Sequence, residues 1–132
     1  MIAIDTNILV RFLADDDAVQ HEQAKRFLTA RNAEDPAFVS SVTLAETVWV
    51  LHRRLKFPIS DVIAAIRDLL ASDGVVIEHA EELGQLLHGE KQPGADIADY
   101  LIAWAARAAG CTRTVTMDRR AANSIPSMEL LA

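Results

Sequence analysis

Four acidic residues lie at well-separated points in the chain, each where a strand is predicted to end or a helix to begin. They are Asp5, Glu46, Asp99 and Asp118. In a parallel α/β sheet, the turns from strand to helix open on one edge, which is the usual ligand edge. Carboxylates gathered there repel one another unless a cation holds them, and oxygen ligands suit Mg²⁺ or Mn²⁺. The positions of these acids therefore predict a metal site.

The elements that would position these acids alternate between strands and helices. Short apolar segments predict five strands, which cover residues 1–5, 36–40, 75–77, 114–116 and 128–131. Between them, apolar residues recur at helical spacing. Because strands that alternate with helices form parallel sheets covered on both faces, this order predicts an α/β fold. The length of 132 residues suits one domain, which we expect to span residues 1–132.

Start and stop residues bound the predicted helices. The helices run from Asn7 to the acidic loop at Asp15, then over 19–30, 43–55, 58–73, 80–88, 96–110 and 119–123. Thr43 is expected to open the third helix and Ser60 to cap the fourth, because Ser and Thr are favoured N-caps. Trp49 and Trp104 are expected on apolar helix faces, which leaves few aromatic surfaces for stacking on nucleobases.

Composition and charge set outer bounds on the function. Apolar residues make up 51% of the chain and charged residues 24%, which is typical of an ordered globular protein. The net charge of −6 argues against a nucleic-acid partner, but two bound Mg²⁺ ions would cancel about four negative charges locally. The N-terminus resembles neither a signal peptide nor a membrane span, so a cytoplasmic protein is expected. The single cysteine, Cys111, excludes an intrachain disulfide and is expected to be buried.

Helix capping is the competing explanation for each acid. Asp5, Asp96 and Asp118 each precede a predicted helix, and Asp is a favoured N-cap. Thr43-x-x-Glu46 has the form of a capping box, in which the glutamate returns to the backbone N–H of the threonine. If every acid is a cap, the chain is a non-catalytic α/β binding domain.

The acids taken as a set favour a site over capping. Asp5 and Asp118 directly follow predicted strands, where side chains project over the carboxyl edge of a sheet. Thr6 and Thr116 stand beside them, and hydroxyl groups in such places orient the carboxylates of metal sites. Asp96 suits capping and metal binding equally well.

Other catalytic chemistries find little support. The four histidines have no metal-binding spacing, and neither a Ser/His/Asp set nor a glycine-rich phosphate loop is recognisable. A phosphatase with Asp5 as its nucleophile would need a second acid close behind, where Thr6, Asn7 and Ile8 stand. Another Mg²⁺-dependent phosphohydrolase remains the enzymatic alternative.

Basic residues near the acids are candidates for contacts with phosphate groups. They are Arg11, Lys91, Arg119 and Arg120. For each, a solvated surface charge is the simpler alternative. Arg53, Arg54 and Lys56 form a further basic cluster, but they lie far along their helix from Glu46, so they would serve a longer stretch of substrate or nothing.

The motifs together resemble the PIN-domain ribonucleases, in particular the VapC-like toxins of type II toxin–antitoxin pairs. The resemblance covers the whole chain and rests on four motifs: Ile4-Asp5-Thr6-Asn7, Ala45-Glu46, residues 96–103 (DIADYLIA) and Thr116-Met117-Asp118-Arg119. It implies a three-layer α/β/α sandwich with a five-stranded parallel sheet of order 3-2-1-4-5. The implied activity is metal-dependent endonucleolytic cleavage of RNA phosphodiester bonds.

The resemblance also implies roles for individual residues. The catalytic acids of the family fall on Asp5, Glu46, Asp99 and Asp118. Asp5 and Asp99 would be the principal ligands of Mg²⁺, for which Mn²⁺ can substitute. Glu46, Asp118 and Asp96 are further candidate ligands, with Thr6 and Thr116 as supporting groups.

The implied partners are an RNA substrate and a cognate antitoxin protein, with no membrane. A homodimer is also expected. Exposed apolar helix surface would fit both protein contacts. Val50, Phe57 and Leu86 are the candidate residues for that surface.

Overall fold

The computed structural model describes residues 1–89, 93–94 and 96–131. Lys91, a predicted phosphate contact, lies outside the described residues. The chain divides into two compact units, Met1–Gln92 and Pro93–Ala132, and each is described by itself. A single domain over residues 1–132 stays a prediction.

The first unit alternates strands and helices as predicted. Its elements are β1 (Ile2–Ala3), α1 (Thr6–Leu13), α2 (Ala18–Thr29), β2 (Ala37–Val39), α3 (Ser41–Trp49), a π-helical segment (Val50–Arg54), α4 (Ile59–Leu70), β3 (Val75–Ile77) and α5 (Ala80–His88). The strands form a parallel sheet of order β1-β2-β3. Ala3 pairs with Phe38, and Val39 pairs with Ile77, so the carboxyl ends of the three strands lie at one edge.

Buried leucines hold the helices of this unit in place. The fully buried leucines are Leu9, Leu44, Leu51, Leu83 and Leu87. Each contributes about 1.5–3 kcal/mol by leaving water. Leu9 on α1 and Leu44 on α3 are among them, and α1 packs against both α2 and α3. The strand-to-helix turns at the sheet edge are therefore anchored by core packing.

The second unit is smaller and also parallel in its strands. It contains α6 (Ile97–Ala108), β4 (Thr114–Thr116), α7 (Arg119–Ser124) and β5 (Met128–Leu130). Thr114 pairs with Met128 and Thr116 with Leu130. Its core joins α6, α7 and β5 through Ala103, Ala121, Ile125 and Met128, with Tyr100 packed against them.

The α/β fold with parallel strands is confirmed. Strands 3-2-1 and strands 4-5 pair in the predicted order, as a three-stranded and a two-stranded sheet. Pairing of β1 with β4, which a single five-stranded sheet requires, stays a prediction. Among the described residues, no helix combines the length and the apolar character needed to cross a membrane.

Two local predictions outside the candidate site were wrong. Ser60 does not cap α4, because that helix begins at Ile59 and Pro58 occupies the N-cap position without a side-chain bond. Proline before the first helical residue already fixes a suitable backbone angle. Cys111 is exposed rather than buried, because it follows the last turn of α6 where the chain leaves the helix at Gly110.

Candidate active site

Asp5 follows β1 and occupies the N-cap position of α1. Its Oδ1 accepts a hydrogen bond from the backbone N–H of Thr6 at 2.7 Å. A typical N-cap side chain instead accepts from the second or third residue of the helix. The side chain of Asp5 is exposed, whereas that of Thr6 is buried. Asp5 therefore caps α1 only in part and presents carboxylate oxygen to solvent.

Glu46 lies in the second turn of α3, not in its first turn as predicted. The helix begins at Ser41, and the Oγ of Ser40 accepts from the backbone N–H of Thr43 at 3.1 Å. Thr43 is therefore a residue inside the first turn, and its own hydroxyl contacts Ser40 at 3.2 Å. The capping-box explanation of Glu46 was wrong, because Ser40 holds the cap position and Glu46 is one turn too late. Its exposed carboxylate needs another explanation.

A cavity of about 430 Å³ joins Asp5 and Glu46. Thr6, Val50 and Trp49 also line its wall. The two acids come from the ends of neighbouring strands, because α1 follows β1 and α3 follows β2. The structure thus brings together the two predicted catalytic acids of the first unit.

The charge of Arg11 in this cavity is already compensated. Its Nη1 donates to both carboxylate oxygens of Asp16, at 2.9 and 3.0 Å, and its Nε donates to Gln20 Oε1 at 2.6 Å. A phosphate group would have to compete with Asp16 for this guanidinium. Asp16 was not singled out from the sequence, although it stands in the acidic loop that ends α1.

Asp99 lies in a perturbed environment in the second unit. It lies in the first turn of α6 and is half-buried. Burial raises the pKa of its carboxyl group, and the negative charges of Asp118 and Asp96 raise it further. The second unit therefore places three of the predicted acids within electrostatic reach of one another.

Asp96 occupies the N-cap position of α6 without capping it. Its side chain accepts no hydrogen bond from the helix, and its Oδ1 atom is buried without a partner among the described residues. Its carbonyl oxygen accepts from the backbone N–H of Asp99 at 3.0 Å. A buried carboxylate oxygen without a hydrogen bond costs free energy. A bound cation would remove that cost, so capping is the weaker explanation of Asp96.

Asp118 is a helix cap in the second unit. Its Oδ1 accepts from the backbone N–H groups of Arg120 and Ala121, at 2.9 and 3.2 Å. The Oγ1 of Thr116 accepts from the backbone N–H of Asp118 at 3.0 Å, so this threonine fixes the backbone and not the carboxylate. Asp118 is exposed and has a second oxygen that can bind a ligand. Capping and ligand binding are compatible here.

The donor chemistry of these residues fits a hard divalent cation. Carboxylates with incomplete hydrogen bonding are suitable ligands for Mg²⁺ or Mn²⁺. Among the described residues, no three His, Cys, Asp or Glu side chains already lie close enough to form a metal-binding group. The argument that these residues suit a divalent cation therefore rests on the unpartnered Oδ1 of Asp96 and on the burial of Asp99.

Two features of the first unit were missed from the sequence. Glu78 follows β3, and its Oε1 accepts from the backbone N–H of Ser41 at 2.7 Å. The signal was its position directly after a strand, which it shares with Asp5. Trp49 was expected on an apolar face and is 55% exposed instead, because the buried face of α3 and the π-helical segment is filled by Leu44, Val48 and Leu51.

Comparisons with known proteins place the chain in a family. A search of curated proteins found no significant match. Among solved structures, the chain is similar to VapC20 of Mycobacterium tuberculosis, described as a sarcin–ricin loop cleaving toxin. The two are 22% identical over 94% of this chain and 95% of that chain, with a TM-score of 0.46, too low a likeness to bear on activity. The PIN domain family model matches residues 2–124. Since that match covers nearly the whole length, the chain belongs to the PIN domain family.

Proposed function

We propose that this protein is a metal-dependent endoribonuclease that hydrolyses RNA phosphodiester bonds and acts as the toxin of a type II toxin–antitoxin pair. The observation that carries the proposal is the environment of Asp99. This carboxyl is partly desolvated and lies near two further acids, an arrangement that costs stability unless a cation is bound. Such perturbed groups cluster at functional sites. Membership of the PIN domain family supports the same assignment.

The acids divide the catalytic work in this proposal. As the family resemblance implies, Asp5 and Asp99 would be the principal ligands of Mg²⁺ or Mn²⁺, and the unpartnered Oδ1 of Asp96 would be a further ligand. A bound ion would supply Lewis acidity toward the scissile phosphate and would activate a water molecule for attack. One of Glu46 and Asp118 would accept the proton of the attacking water as the new P–O bond forms, and the other would orient that water. The ribose oxygen that leaves as the old P–O bond breaks would take up a proton from the protonated acid or from solvent.

Basic residues are assigned to the substrate phosphates. Arg119 and Arg120 are exposed in the first turn of α7, where a helix dipole disfavours positive charge. The two arginines therefore do not stabilise the helix, but they could bind the phosphate groups of an anionic substrate. Arg11 and Lys91 remain assigned to phosphate as well, and Arg11 would have to exchange Asp16 for the substrate.

Protein partners belong to the same proposal. A cognate antitoxin and a second copy of the chain would bind apolar helix surface. Val50, Phe57 and Leu86 are each half-buried and keep some apolar surface exposed. A cytoplasmic location follows from an RNA substrate and an antitoxin partner.

The test is cleavage of a mixed structured RNA by purified, partner-free protein with Mg²⁺, Mn²⁺ or EDTA. Wild type should cleave with either metal and lose activity in EDTA. Asp5→Asn and Asp99→Asn should each reduce the rate by about 10–100-fold or more, because each removes a proposed ligand of the metal. Asp61→Asn is the matched control, because Asp61 is an exposed acid in the first turn of α4.

Three results would count against the proposal. Cleavage that persists in EDTA would show that the reaction does not require a metal ion. Cleavage by Asp5→Asn at the wild-type rate would show that Asp5 is not part of the active site. Absence of both cleavage and Mn²⁺ binding would favour a non-catalytic α/β domain whose acids are structural.

A further inference from the structure

Trp49 is unusually exposed for a tryptophan. More than half of its side chain (55%) is open to solvent, although tryptophan is highly buried on average. It lies one helical turn after Glu46 on α3 and lines the same cavity as Asp5 and Glu46. Its ring therefore contributes less to the core than a buried aromatic would, and it stands beside two of the proposed catalytic acids.

The π-helical segment that follows Trp49 changes which residue faces this cavity. The backbone N–H of Leu55 donates to the carbonyl of Val50 at 2.9 Å, which places one extra residue in the turn. In a regular α-helix, Arg54 would lie about 80° around the axis from Glu46. The wider turn brings Arg54 back toward that face, and its exposed side chain lines the cavity with Glu46 and Trp49. Such segments are rare and frequent at functional sites.

We propose that Trp49 stacks on an unpaired nucleobase of the RNA substrate while Arg54 binds an adjacent phosphate. This inference rests on the proposed ribonuclease function and specifies its substrate as single-stranded at this point. Stacking suits any base, because every base has a π-face. It requires an unpaired base, because paired bases are stacked inside an RNA helix.

The many ionisable side chains of the cavity make an apolar protein surface a poor occupant. Exposed tryptophan also serves as an anchor in protein interfaces, but the cores of those interfaces are depleted of charge. This wall instead carries a high proportion of ionisable side chains, namely Asp5, Arg11, Asp16, Glu46 and Arg54. Three of these five side chains are acids and Arg11 is paired with Asp16, so RNA would bind here through the base stack and Arg54, with cations offsetting the acids.

The experiment measures affinity for a short single-stranded RNA labelled with fluorescein, with Asp5→Asn in every protein to prevent cleavage. Trp49→Ala should weaken binding by about fivefold to 150-fold, the range for loss of one base–aromatic stack. Trp49→Phe should restore most of the affinity, because phenylalanine also stacks. Val42→Ala is the matched control, since Val42 is 79% exposed on the same helix and does not line the cavity.

A second measurement tests stacking directly. Trp104→Phe leaves Trp49 as the only tryptophan, since the chain has two. Its fluorescence should be quenched by the RNA but not by an abasic strand of equal length. Arg54→Gln should weaken the binding of both strands, because a phosphate contact does not require a base.

The outcomes separate this inference from the proposed function. If wild type cleaves RNA but Trp49→Ala binds RNA with unchanged affinity, the inference is wrong and the proposed ribonuclease function is unaffected. If Trp49→Ala converts a dimer to a monomer in light scattering while binding RNA normally, Trp49 is a protein contact and the inference is again overturned. If wild type neither cleaves nor binds RNA, both fail.

Discussion

Glu78 should stabilise the protein by anchoring the start of α3 to the end of β3. Its Oε1 accepts from the backbone N–H of Ser41 at 2.7 Å. Hydrogen bonds to charged groups are worth about 1.5–3 kcal/mol, and screening at this exposed position reduces that to about 1 kcal/mol. With an unfolding entropy of about 2 cal/mol/K per residue, Glu78→Ala should lower the Tm of this 132-residue chain by about 4 °C.

The pH dependence gives this prediction its sharpest test. The hydrogen bond from Ser41 lowers the pKa of Glu78 below its ordinary value of 4.5. The stabilisation is therefore present above pH 4.5 and is lost as the pH falls through the lowered pKa of the folded state. Urea unfolding of wild type, Glu78→Ala and Glu78→Gln should show differences at pH 7 that shrink in acid. Equal stability of wild type and Glu78→Ala at pH 7 would refute the reasoning.

Further predictions concern packing, charge and metal binding. Gly74→Ala should destabilise the protein by about 1–3 kcal/mol in urea unfolding, because its Cβ would lie 2.8 Å from the Arg31 carbonyl oxygen. Gly84→Ala, with nothing within 4 Å, should instead stabilise α5 by about 0.5–1 kcal/mol. In EDTA, wild type should lose stability as the pH rises through the raised pKa of Asp99, because the folded state disfavours the ionised carboxyl. Asp99→Asn should not show this loss. Parallel pH profiles of Tm for the two proteins would contradict the prediction. Mg²⁺ at 100 times its Kd should stabilise wild type by about 2.7 kcal/mol and leave Asp99→Asn nearly unchanged in a thermal-shift assay.

Much of the fold could be predicted because its signals are local. Apolar runs located the strands, and β3 (Val75–Ile77), β4 (Thr114–Thr116) and α5 (Ala80–His88) have the predicted bounds. The start of α3 was misplaced because Ser40 and Thr43 are both suitable caps, and the choice depends on which backbone N–H each can reach. Ser40 accepts from the N–H of Thr43, which starts the helix two residues earlier than predicted.

The site was only partly predictable. Asp5 and Asp118 follow strands, so their positions could be inferred from the sequence. The pairing of Arg11 with Asp16 and the exposure of Trp49 depend on how separate elements pack, which periodicity does not report. Arg54 was expected to serve a longer RNA track or nothing, and its place in the cavity depends on the π-helical segment, which apolar spacing does not report.

The π-helical segment at Val50–Arg54 suggests how the surface that Trp49 and Arg54 form beside Glu46 can evolve. Relative to an α-helical turn, it holds one additional residue, so a single inserted codon is enough to create it. Leu44 and Leu51 stay buried on either side of Trp49, and the core need not be redesigned. Deleting one residue from the segment should likewise return the helix to a regular path and turn position 54 away from Glu46. If Arg54 contacts RNA as proposed, this deletion should weaken RNA binding while Leu44 and Leu51 stay buried.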